Sequence, residues 1–74
     1  MNLTNAAEGT EYIIKAVETG DDELEAFLFS LGCYGGEPIT VVARRSGNYV
    51  VVIKDARYSI DKDLAAAISI EYAK

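Results

Sequence analysis

Two β-branched runs, Ile39-Thr40-Val41-Val42-Ala43-Arg44-Arg45 and Tyr49-Val50-Val51-Val52-Ile53-Lys54, lie on either side of Ser46-Gly47-Asn48. Strand-forming runs this close together, with turn residues between them, fold back on each other as a β-hairpin. Side-chain parity then selects a register. A three-residue loop pairs Ala43 with Val51 and Val41 with Ile53, so Ile39, Val41, Ala43, Val51 and Ile53 share one face. A two-residue Gly47-Asn48 loop would turn Val50 and Val52 inward instead. The three-residue loop is expected, with Asn48 as its left-handed residue.

The other elements fit around this hairpin. Glu11 to Glu18 reads as a strand entered through Gly9, and Pro38 suits the start of the next, where a missing N–H is tolerated. Between them, Leu24, Phe27, Leu28 and Leu31 recur at helical spacing, which predicts a helix with that stripe facing the sheet. Asp21 or Asp22 can cap its start, Glu23 and Glu25 suit its first turn, and Gly32 is placed to close it in the left-handed conformation. Asp55-Ala56 turns into a short strand, Arg57 to Ile60. Asp61 caps a brief helical turn, and Ile68 to Tyr72 alternates as a last strand. In 74 residues, five short strands are too few for a sandwich, but they can form a small barrel. The predicted class is mainly β with minor α, one domain over residues 1–74. It is an SH3-like five-stranded barrel with a helix after the first strand and a helical turn before the last.

Composition narrows the chemistry. The chain has no histidine, so the commonest general acid–base and metal ligand is missing. Ser30, Ser46, Ser59 and Ser69 have no imidazole partner, and Gly32-x-x-Gly35-Gly36 lacks the lysine of a phosphate loop. No enzymatic activity is expected. A net charge of −5 argues against nucleic acid and against an anionic membrane surface. Cys33 is the only cysteine, which fits a reducing compartment. No signal peptide and no apolar run of spanning length are legible, so the protein is expected to be cytoplasmic without direct membrane insertion. A chain this short gains from association, and homo-oligomerisation or docking onto a larger partner is left open.

The order of these elements and several residues within them resemble the FeoA family and the related C-terminal domain of iron-dependent repressors. Leu3, Gly9, Ile14 and Val17 fill the opening of the family pattern, and Leu28, Leu31, Gly32 and Cys33 its helix end. Gly36 with Ile39 to Val42, then Val51, Ile53, Ile60, Ala66, Ile68 and Ile70, follow in order. Three positions depart from the pattern. Phe27 stands where an arginine is common, Gly35 where a proline is, and Asp55 where a glycine is. The resemblance implies bacterial ferrous iron transport, with the FeoB-type permease and its GTPase domain as partner. It also implies, as the other reading, a small domain that senses or binds a transition metal.

For a partner surface, Phe29 points away from the predicted inward stripe, beside Tyr34, Gly35 and Gly36, and could anchor a protein. Arg44 and Arg45 flank the hairpin tip, where an arginine could be offered to a GTPase, although solubilising strand-end charges explain them more simply. Tyr12, Tyr34, Tyr49, Tyr58 and Tyr72 are spread over different strands, which suits wall packing better than a groove for proline-rich peptides. No cofactor and no metal ligand set is assigned. Weak binding of Fe²⁺ or another divalent ion at Glu18, Asp21, Asp22, Glu23 and Glu25 competes with a plain solvated helix start, and Cys33 is expected to be buried.

Overall fold

The computed structural model describes residues 1–73. Its strands are β1 (Glu11–Val17), β2 (Pro38–Arg45), β3 (Asn48–Ile53), β4 (Ala56–Asp61) and β5 (Ile68–Tyr72), and its helices are α1 (Asp22–Ser30) and α2 (Lys62–Ala66). All neighbouring strands are antiparallel, in the order β4-β3-β2-β1-β5. Among the described residues the ladder does not close between β4 and β5. The architecture is the SH3-like one expected, curled and left open at one seam.

Both hairpins use the same turn chemistry. Arg45 pairs with Asn48, so the β2–β3 loop is the two residues Ser46 and Gly47, at φ +51° and +82°. Ile53 pairs with Ala56 around Lys54 and Asp55, at φ +51° and +69°. Positive φ at both central residues matches the right-handed strand twist. The three-residue loop with a left-handed Asn48 is therefore corrected. The inward face survives because the register shifts between Val41 and Ala43, where a bulge at Val42 absorbs one residue. Val41 pairs with Val51 and both are fully buried. Ala43 pairs with Val50 and is only half-buried, against expectation.

Asp55 departs from the family pattern at a position where the backbone itself favours glycine. At φ +69° a glycine carries no Cβ penalty, whereas aspartate does. The left-handed cost of about 1–2 kcal/mol that glycine avoids outweighs glycine's own entropy cost of about 0.5–1 kcal/mol, so Asp55→Gly is expected to raise stability by up to about 1 kcal/mol, read as a higher urea midpoint at unchanged slope.

The core is formed by alternate strand residues, chiefly Ile14, Ile39, Val41, Val51, Ile53, Ile68 and Ile70. One end is closed by an N-terminal 3₁₀ turn, Leu3–Asn5, whose Leu3 is fully buried. Asn2 and Asn5 form a capping box, and the Ile70 N–H donates to the Met1 carbonyl, which ties this segment to the edge of β5. That turn is not among the elements expected from the sequence.

Candidate functional site

Helix α1 starts and stops as its sequence dictates. The Asp21 carboxylate accepts from the N–H groups of Glu23 and Leu24. At the other end Gly32, at φ +92°, donates to the Phe29 carbonyl while Cys33 donates to that of Leu28, a Schellman closure. The inward stripe is narrower than its spacing suggested. Leu28 is buried and Leu31 half-buried, but Leu24 is 39% exposed and Phe27 50%. The strands, Leu3, Ala6 and Ala65 already fill the interior, so this nine-residue helix seats one side chain fully.

Phe29 lies on the outer side of α1, 63% exposed, with its ring 4.7 Å from that of Tyr34 at 35°. It is seated against Tyr34 and not under the N-terminal segment, where Leu3 packs. The tilted pair stands at a spacing at which aromatic rings attract. Lys54 borders it: Nζ lies 5.6 Å from the Tyr34 ring centre and 2.9 Å from a Glu37 carboxylate oxygen. The Glu37 carboxylate, then the Tyr34 hydroxyl, raises the affinity of that ammonium for its proton.

Two glycines make this cluster possible. A Cβ on Gly32 would sit 2.9 Å from Lys54 Cδ, so its absence lets the lysine stem cross the helix end. A Cβ on Gly35 would sit 3.0 Å from the Lys15 carbonyl oxygen, at the point where β1 bulges. The Gly36 N–H donates to the Ile14 carbonyl at 2.8 Å and the Ile14 N–H to the Glu37 carbonyl at 2.9 Å, which pins the loop to β1. Phe29, Tyr34, Gly35 and Gly36 are thus brought together, joined by Glu37 and Lys54, which are not among the site residues expected from the sequence.

Arg44 and Arg45 are elsewhere. They flank the turn at the far end of β3 from Lys54, roughly 17 Å away at the usual strand rise. Arg44 is occupied within the fold. Its guanidinium donates to the Ala6 carbonyl, pairs with Glu8 at 3.5 Å and lies 5.2 Å from the Tyr49 ring centre. It ties the N-terminal segment to the hairpin, while Arg45 stays exposed.

The acidic turn before α1 is partly committed too. Asp21 caps the helix, and Glu25 accepts from the Thr19 N–H and hydroxyl. Among the described residues, no three Cys, Asp or Glu side chains converge on a metal position. Cys33 is buried, and burial pushes its thiol up to about 11. The shift also sets a pH dependence. Below about pH 9 the thiol is protonated in both states. Between pH 9 and 11 the unfolded chain releases the proton while the folded one keeps it, so stability falls by roughly 2–3 kcal/mol by pH 11. Urea melts from pH 8 to 10.5 should show that decline in the parent and a shallower one in Cys33→Ala.

No helix among the described residues is long and apolar enough to cross a membrane. The sequence matches the FeoA domain family over residues 1–72. No curated protein matches it. Among solved structures it is similar to iron(II) transport protein A from Clostridium thermocellum, at 27% identity and TM-score 0.89, covering 97% of this chain and 45% of that one. FeoA from Stenotrophomonas maltophilia, complexed with zinc, superposes at 20% identity and TM-score 0.85, covering 96% of this chain and 89% of that one. A manganese-dependent transcriptional repressor does so at 21% and 0.88, covering 99% of this chain, which spans about two fifths (41%) of the repressor. The last two likenesses speak for the fold alone.

Proposed function

Since the chain belongs to the FeoA domain family, we propose that it is a cytosolic accessory protein of ferrous iron uptake, docking onto the cytoplasmic, GTPase-bearing part of an FeoB-type permease. The observation that carries this reading is the Phe29–Tyr34 pair. A phenylalanine 63% exposed, on a helix end and loop pinned to the sheet, is the kind of preordered apolar anchor on which binding energy concentrates. Lys54 and Glu37 supply a polar rim of both signs. Iron is then the partner's cargo, and this chain acts by protein contact. The docking face takes Phe29, Tyr34, Gly35 and Gly36 and leaves out Arg44, whose guanidinium is already engaged, and Arg45 at the far tip.

A metal-sensing role draws on the likeness to the manganese-dependent repressor, but the donors present do not favour it. Calorimetry with Fe²⁺ or Mn²⁺ separates the readings, since one equivalent bound at micromolar affinity would favour the sensor. The docking role is tested by pull-down of the permease's cytoplasmic region with the folded chain. Retention supports it, and no retention with the fold intact rejects it.

A further inference from the structure

The apolar stripe that α1 leaves uncovered is part of a groove. Leu24 and Leu64 line it, together with the β1–α1 connection and α2, in a recess of about 480 Å³. Phe27, one turn beyond Leu24 on the same side of α1, extends the apolar strip and is half exposed. The charged residues lining the recess are Glu18, Asp61 and Asp63, and among the described residues no lysine or arginine joins them. Lys62 lines the neighbouring recess at the hairpin tip, with Arg44 and Arg45.

We infer that this groove is a second docking site, and that its occupant is a basic amphipathic segment of a protein partner. Leucine-sized side chains on one face of such a segment would lie against Leu24, Phe27 and Leu64. Lysines or arginines beside them would meet Glu18, Asp61 and Asp63, so opposite charge both steers the approach and fixes the register. A second copy of this chain fits poorly. An isologous pairing sets the acidic rim against itself in a molecule of net charge −5. A metal ion fits poorly as well, since among the described residues no three acids converge. The site is separate from the Phe29–Tyr34 face, because Phe29 lies about 140° around the helix from Leu24. The inference therefore does not depend on the permease being a partner.

The test uses a fluorescein-labelled synthetic peptide of about 14 leucines and lysines, with leucines at i, i+3, i+4 and i+7. Its control is a scrambled isomer of the same composition. Fluorescence anisotropy at near-physiological ionic strength should show the amphipathic peptide binding at least about ten-fold tighter than the isomer. Leu24→Gln should weaken it about five-fold or more and Glu18→Gln with Asp63→Asn should reduce its salt dependence, while Phe29→Ala leaves it unchanged. Equal binding of the isomer, or no effect of Leu24→Gln, would overturn the inference. So would a dimer seen by light scattering that Leu24→Gln dissociates, since that assigns the groove to a second copy. Failure here with Phe29-dependent binding of the permease region intact would leave the proposed function standing, and the reverse holds too.

Discussion

Leu28→Ala should destabilise the fold by about 3 kcal/mol, within the range of 2–5 kcal/mol for emptying a well-packed leucine site. That is a large share of the total, since a chain of this length has roughly 4–11 kcal/mol to lose. Leu28 is 1% exposed and is the one fully buried side chain of α1. Its carbonyl also accepts from the N–H groups of Leu31 and Cys33 at the Schellman closure, so a helix that shifts to fill the void strains its own end. Urea unfolding would show the loss as a lower midpoint. Amide exchange would show it as faster opening of α1 relative to β2 and β3. A shift below about 1 kcal/mol would mean that something other than Leu28 holds the helix to the sheet.

Phe29→Ala should do the opposite, with little effect on the fold and a large one on binding. The ring is mostly in solvent, and its loss removes one tilted contact with Tyr34, worth about 0.5–1.5 kcal/mol. At a docking face the same ring would be desolvated against the partner. Central aromatic anchors cost about 2 kcal/mol or more on truncation, which is about thirty-fold in affinity. Melting curves that nearly superimpose, beside a binding isotherm displaced by at least ten-fold, are the expected pair of results. Together the two variants distinguish what holds α1 in place from what α1 presents.

Strand order of appearance, helix capping and the buried cysteine were legible because each rests on residues close together in the chain. The β2–β3 register was not. It depends on Ser46 accepting a positive φ and on a bulge at Val42, neither of which alters the local pattern of side chains. The inward face was still right at Val41, Val51 and Ile53, since the bulge restores the parity that the shorter turn removes. The helix stripe misled for a different reason. Spacing says which residues share a face, but the space beneath that face is set by the rest of the core, and here it admits Leu28 alone. The exposure of Phe29 was readable from helical geometry. The Lys54–Glu37 pair beside it was not, because two strands and the turns at their ends bring those residues together. The same holds for the groove, whose two walls come from segments about forty residues apart in the chain.

The most direct test of the docking reading is calorimetric titration of the permease's cytoplasmic GTPase-bearing region, in parallel, with the parent chain and with folded Phe29→Ala. The prediction is a saturable one-to-one complex with the parent that weakens at least ten-fold in the variant. No heat of binding from a correctly folded parent, or identical isotherms for the two proteins, would contradict it.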